Sequence, residues 1–227
     1  MKYFYNIAML VQISFATLAQ DVDTVKVKHS FMPTGVRVGT DLISLVRSPY
    51  DKTFNGWEVN GDVDFYRYYL AMDYGYWARS YISDSSTYAN SGRYWRLGVD
   101  VNFLKNDPDR NMFFFGFRYG ASTFSEDLSV IKYDPIWGPL SGNYSNVNVK
   151  AHWLELTTGL RVRMWKMIWL GYTARLKFGL STSKTPDMLP HDVPGYGRAD
   201  ESSYWWFNYQ IFIRLPVRKS NSALPKK

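Results

Sequence analysis

Phe113-Phe114-Phe115-Gly116-Phe117-Arg118-Tyr119-Gly120-Ala121-Ser122-Thr123 is the stretch whose reading decides the fold. Taken with a period of two, it places Phe113, Phe115, Phe117, Tyr119 and Ala121 on one face and Phe114, Gly116, Arg118, Gly120 and Ser122 on the other. One face is greasy and the other is small and charged. The preceding segment repeats the pattern, with Trp95, Leu97, Val99, Val101 and Phe103 opposed to Tyr94, Arg96, Gly98, Asp100 and Asn102, and residues 105–111 between them carry turn chemistry. The two segments read as a hairpin. Alternation also suits a soluble sheet with one wet face, so alternation alone decides little. What decides is the length of each run, the aromatic weight of the apolar face and the recurrence of the pattern along the chain.

It recurs six more times. Predicted strands cover 35–46, 57–66, 69–77, 153–163, 168–179 and 204–215, and the second of these sets Trp57, Val59, Gly61, Val63 and Phe65 against Glu58, Asn60, Asp62, Asp64 and Tyr66. Four carboxylate or amide side chains on one face would be untenable in an ordinary apolar core. Connections alternate in length: long ones are expected at 47–56, 80–92, 125–149 and 181–203, short ones after the second, fourth and sixth strands. Each run has the length a tilted strand needs to cross a bilayer, and long outer loops with short periplasmic turns are the habit of membrane barrels. The fold class is therefore all-β: an eight-stranded antiparallel up-and-down transmembrane β-barrel with a polar lumen filled by side chains.

A soluble eight-stranded barrel of the lipocalin kind is the competitor, apolar inside and polar outside. Charge placement decides against it. The polar faces hold Asp41, Glu58, Asp62, Asp64, Asp73, Asp100 and Glu155 together with Arg37, Arg96, Arg118, Arg161, Arg163, Arg175, Lys177 and Arg214, while the opposite faces carry essentially none. Lipid enforces a charge-free outer face, whereas water does not. Eight strands leave an interior just wide enough to be filled by side chains, so these acids and bases are expected to form an ion-pair network that plugs the lumen.

Composition agrees. Of 227 residues 18% are aromatic, an excess that interfacial girdles would use, and the mean hydropathy of −0.31 argues against a helical bundle in lipid. The absence of cysteine removes disulfides, thiolate metal sites and a cysteine nucleophile. A net charge of +7 without any helical or RNA-binding signature does not indicate nucleic acid. Residues 1–19, with Lys2 followed by an apolar stretch ending in Ala16-Thr17-Leu18-Ala19, read as a signal peptide; 20–34 form a periplasmic lead-in, 35–217 the barrel and 218–227 a basic periplasmic tail. The expected location is the outer membrane of a Gram-negative bacterium, in contact with its lipid.

Candidates for chemistry are few. His152 raises the alternative of a lipid-modifying hydrolase, yet it points to the opposite face from Glu155 and has no serine two positions away on its own face. His29 and His191 lack ligand spacing, Asn106-Asp107-Pro108-Asp109 reads as a turn before it reads as a calcium loop, and Gly195-Tyr196-Gly197 lacks the strand-to-helix context of a phosphate loop. No metal, cofactor or catalytic residue is expected. Function falls to the loops, where Trp137 between two prolines, with Tyr133 and Tyr144 nearby, would make an aromatic contact surface for an outer-membrane or periplasmic protein. The reading is a non-enzymatic structural or accessory subunit, with a lipid-modifying hydrolase and a narrow ion channel as alternatives.

Five strings in order, Arg96-Leu-Gly-Val-Asp-Val-Asn102, Gly116-Phe-Arg-Tyr-Gly-Ala-Ser-Thr-Phe124, Ala151-His-Trp-Leu-Glu-Leu156, Leu170-Gly-Tyr-Thr-Ala-Arg-Leu-Lys177 and Pro194-Gly-Tyr-Gly197, resemble an outer-membrane barrel family of the Bacteroidota known as domain of unknown function 6048. The resemblance spans about 35–219 and implies an outer-membrane location and a small barrel, with no activity to carry over. Size and strand count are also similar to barrels of the OmpA and OmpX type, by fold analogy alone.

Overall fold

A computed structural model of the chain describes residues 31–104, 107–183 and 188–217. The expected signal peptide, the lead-in up to residue 30 and the basic tail lie outside the described residues. Ten strands and one helix follow in order: β1 (Gly35–Asp41), α1 (Leu42–Tyr50), β2 (Phe54–Phe65), β3 (Tyr68–Ser83), β4 (Ser86–Asn102), β5 (Met112–Asp134), β6 (Gly138–Arg163), β7 (Ile168–Thr182), the short β8 (Asp192–Val193) and β9 (Gly197–Arg198), and β10 (Ser203–Pro216). β1 to β7 and β10 close into a barrel in which every strand is antiparallel to its neighbours in sequence, and β1 meets β10 from Gly35↔Pro216 to Asp41↔Gln210. The all-β, eight-stranded up-and-down ring is the architecture that the alternation predicts.

The pleat sorts the side chains as the sequence sorts them. Along β4 the outward residues Trp95, Leu97 and Val99 are exposed while Tyr94, Arg96, Asp100 and Asn102 are buried. Charge returns to the outer surface at Arg93 on β4 and Lys150 on β6, which flank Thr123 in register. Nine residues, from Trp95 on β4 to Phe103 just past its end, thus span a band whose outer face is uncharged, about 20–25 Å tall for a strand tilted as barrels require. Aromatic contacts rim the band: Trp57 with Tyr74 and Trp95 with Tyr119 (centroids 5.7 Å apart in both pairs) at one edge, Phe103 with Phe115 (5.6 Å) at the other. No helix among the described residues is long and apolar enough to cross a membrane.

Two expected loops and the end of one expected strand are corrected. Residues 80–92 and 125–149 are not loops. β3 and β4 pair up to Ser83↔Ser86, and β5 and β6 pair up to Asp134↔Gly138, so two hairpins continue the wall beyond the uncharged band. Beyond the band the outer face meets water and the inner face buries polar side chains such as Asn90, Glu126 and Asn146, so apolar alternation is gone and backbone pairing persists without its sequence signature. A bulge between Phe124 and Glu126, opposite Asn148 at φ +57°, marks the change of regime. The third correction lies at the first strand, which stops at Asp41 instead of Val46. The Asp41 carboxylate accepts from the Ser44 backbone N–H (2.9 Å) and hydroxyl (2.7 Å), capping α1 where the strand was expected to run on. Among its described residues the fourth connection has no long regular strand, as expected. Its Asp192 to Gly197, however, are buried, folded back into the mouth of the barrel.

Candidate functional site

The lumen is built from inward side chains of all eight wall strands. Starting near the end that carries the short turns, Arg37 on β1 pairs with Asp62 on β2 (2.8 Å), and Asp62 with Arg161 on β6 (2.6 Å). Arg161 reaches Asp100 on β4 (3.3 Å), which takes Arg118 of β5 (2.8 Å). Arg118 bonds Asp73 on β3, Asp73 receives Arg175 of β7 (3.2 Å), and Arg175 bonds Glu155 of β6 (2.8 Å). Glu155 faces Arg96 of β4 (3.6 Å), and Arg96 ends on Glu58 of β2. Base and acid alternate without a break over ten residues, none more than 3% exposed. β10 supplies neutral polar groups: Asn208 accepts from Arg175 (2.7 Å) and Gln210 from Thr173 (2.9 Å).

Each buried ion costs several kcal/mol to dehydrate, and only close pairing with further hydrogen bonds offsets this. Asp73 illustrates how that is met: it faces three guanidiniums, of Arg96, Arg118 and Arg175, and accepts from the Asn60 amide at 2.8 Å. Trp153 donates its indole N–H to Glu155 (2.7 Å), lying across Gly120, where a Cβ would collide with the ring. The arrangement fills the lumen with matched charge.

Not every expected member joins. Asp64 and Arg214 form a separate pair (2.7 Å) at the turn end, where Asp64 also accepts from the Thr34 and Gly35 backbone. Asp41 is buried and has no ion pair among the described residues; the correction follows from the helix it caps. Arg163 is exposed beside Asp109 (3.5 Å) rather than inside. Lys177 is buried, and its ammonium donates to the carbonyls of Gly195 (2.7 Å) and Tyr196 (3.0 Å), tying the folded-in connection to the barrel wall.

That connection is the feature the sequence hid. Val193 and Tyr196 pack with Phe54, Trp77, Tyr94, Phe124 and Trp153 in an apolar cluster over the ion-pair chain. The extended wall of β3 to β6 holds it from behind. Arg79 pairs with Asp192 (2.7 Å), the Asn90 amide donates to the Asp192 carbonyl (2.5 Å), and Glu126 accepts from the Tyr88 hydroxyl (2.9 Å) and the Asn146 amide (2.8 Å). Burial first, and then the neighbouring Glu126 carboxylate, push the Tyr88 phenol well above its ordinary range. A run of polar residues between two strands gives no sign of which way it folds; the positive φ of Gly195 (+82°) and Gly197 (+124°) is the one signal that the Gly195-Tyr196-Gly197 turn carried.

The loop aromatics sit on the β5–β6 hairpin. Tyr133 (75% exposed) and Trp137 (78% exposed) are at its tip with Ile136, whereas Tyr144 pairs with Leu128 on the opposite face from Tyr133. The expected surface of three aromatics is therefore a tip of two, and Tyr144 is apart from it. The tip is set by Asp134, whose carboxylate accepts from the backbone N–H of Ile136 (2.8 Å) and Trp137 (2.9 Å), bonds that hold it below the usual carboxylate range. His152 faces outward and shares a 2.7 Å hydrogen bond with the Tyr119 hydroxyl, the rings stacked at 5.9 Å. Asp107 caps its own turn, accepting from the Asp109 and Asn111 backbone, while Asn106 lies outside the described residues. His191 meets the edges of Tyr81 and Tyr88.

A family model with the description "Domain of unknown function (DUF6048)" matches residues 1–220. Among solved structures, the barrel domain of OprF from Pseudomonas aeruginosa is 10% identical and aligns over 81% of this chain and 100% of that one with a TM-score of 0.34. CarO of Acinetobacter baumannii is 14% identical over 83% and 100%, with a TM-score of 0.39. Neisserial surface protein A is 9% identical over 81% and 96%, with a TM-score of 0.32. Among curated protein sequences none matches.

Proposed function

The chain belongs to the family described as Domain of unknown function (DUF6048), and on that premise we propose that it is a small outer-membrane β-barrel with a closed lumen, acting without catalysis as an accessory or interaction subunit. The uncharged outer band and its aromatic rims support the membrane reading, because a barrel wall in water has no reason to exclude charge from that band. The closed lumen follows from the alternating ion-pair chain and the connection packed above it. Against hydrolysis, His152 spends its hydrogen bond on a tyrosine at the rim of the band.

One observation carries the interaction role. The β5–β6 hairpin is a paired, regular arm that lifts Tyr133, Ile136 and Trp137 beyond the barrel, with Ile136 82% exposed at its tip. Aromatic anchors held on a rigid element are the composition of interface hot spots. The partner is a protein of the same membrane or cell surface. A photo-crosslinking residue replacing Trp137, in the chain expressed in its own outer membrane, is expected to capture one protein at a fixed ratio, and Ile136→Ser is expected to abolish capture. A heat-modifiable monomer crosslinked to nothing would overturn the reading.

A further inference from the structure

Where the uncharged band ends, at the edge facing the long connections, the outer wall carries a row of hydrogen-bond donors across four neighbouring strands. Tyr76 on β3 stands opposite Arg93 on β4, Arg93 opposite Thr123 on β5, and Thr123 opposite Lys150 on β6. Arg93, Thr123 and Lys150 are exposed and Tyr76 is half-buried. Neighbouring strands lie about 5 Å apart, so Arg93 and Lys150 rise from backbones about 10 Å apart with the Thr123 hydroxyl midway. Two side chains of that length can close on one anion between them.

The two cations have no acid of their own. Beyond the ladder, Arg93 and Lys150 are engaged among the described residues only at their backbone carbonyls, by the Ser122 hydroxyl (3.2 Å) and the Ser183 backbone N–H (2.9 Å). At the same end of the barrel Arg47 pairs with Asp51 (2.7 Å), Arg79 with Asp192 (2.7 Å) and Arg198 with Asp200. The nearest acid on the outer face of β3 to β6 is Asp127, four residues beyond Thr123 and so about 13 Å along the strand.

What lies below and above the row narrows the anion to one kind. Below it the wall is apolar and braced. Ala121, next outward residue to Thr123, is only 7% exposed between its register neighbours Trp95 and His152, and the Tyr119 ring tilts against Trp95 (5.7 Å) and stacks on His152 (5.9 Å). Above it the exposed outer residues of the extended wall are small and polar: Ser91 on β4, Ser129 on β5, Asn143 and Ser145 on β6. An apolar wall, a row of phosphate-binding donors and then hydroxyls and amides is the order in which a phosphorylated glycolipid presents its acyl chains, phosphate and sugar. A phospholipid would leave the third layer unused, and free phosphate the first and third.

We propose that this row is a binding site for a phosphorylated glycolipid of the outer leaflet, the phosphate lying over Thr123 between Arg93 and Lys150 with Tyr76 completing the donor set. The site rests on the membrane placement proposed above and not on the hairpin tip or its partner. The full chain is first offered vesicles of phosphatidylcholine alone; a chain that does not insert and shows no heat-dependent gel shift overturns the membrane placement, and this site with it. The inserted chain is then titrated with monophosphoryl lipid A in nanodiscs and the bound lipid counted by native mass spectrometry. One lipid per barrel is expected, displaced neither by dioleoylphosphatidylglycerol nor by inorganic phosphate, and lost when the lipid is dephosphorylated. Arg93→Gln and Lys150→Gln each weaken binding about tenfold, the loss of one charge-assisted bond. Lys132→Gln, at an exposed cation farther out on β5, leaves it unchanged. All three variants are checked for the gel shift of a folded barrel. In a chain that inserts, binding indifferent to the phosphate, equal retention of phosphatidylglycerol, or a loss in Lys132→Gln as large as in Lys150→Gln would each overturn this site alone.

Discussion

Asp73 is the residue on which the lumen turns, because among the described acids it alone pairs with the three guanidiniums of Arg96, Arg118 and Arg175. Asp73→Asn keeps the shape and removes the charge, leaving buried cations under-compensated at a cost of about 3–5 kcal/mol. The expected result is a barrel that loses its heat-dependent gel shift at a lower temperature or lower urea than the wild type. Gly120 is the second fragile point: Gly120→Val drives a side chain into the Trp153 ring and should release the indole from Glu155, read as a red shift in tryptophan emission. Outside the band, Asp51 carries a pH signature. Hydrogen bonds from Thr53, and then from Arg47, lower its carboxyl to about 2. A lowered folded value stabilises above the ordinary carboxylate range and is lost as pH falls through the folded value, so the turn after α1 should be intact at pH 5 and fray between about pH 4 and 2. Amide exchange at residues 51–54 across that range checks it.

Elements differ in how much of themselves they wrote into the sequence. Strands with an uncharged face outside and matched charge inside were legible residue by residue, because two opposite environments select opposite side chains. The helix α1 was not: Leu42, Ile43, Leu45 and Val46 fit the end of an outward-facing strand as well as one face of a helix, and only Asp41 with Ser44 three positions on hinted at a cap. Asp41→Ala is accordingly expected to loosen α1 by about 1 kcal/mol without opening the ring, seen as faster amide exchange in Leu42–Tyr50 alone. The hairpins beyond the band were illegible for the opposite reason, having water outside and buried polar residues such as Asn90, Glu126 and Asn146 inside, so that no apolar alternation shows. In the candidate site, Arg96, Arg118, Arg175 and their acids were legible by face, whereas Arg79, Tyr88, Glu126 and Asp192 were not, because their contacts depend on a connection folding inward and nothing periodic records that choice.

For the molecule as a whole, ten alternating charges beneath a packed connection fill the lumen among the described residues. Planar bilayers containing the protein should show no steady conductance, and removing 188–200 should not create one, because the ion-pair chain lies deeper than the connection. The same chain constrains assembly. Its members come from seven strands, and no hairpin by itself holds a neutral set: β4 with β5 brings Arg96 and Arg118 but only Asp100. A sheet laid into the bilayer one hairpin at a time would carry unmatched charge against hydrocarbon until its final seam formed. On the proposed membrane reading, insertion and ring closure are therefore expected to happen as one event, with the inner face kept wet until β1 finds β10. On that reading water is the last thing to leave the barrel, and its departure is the step that commits the fold.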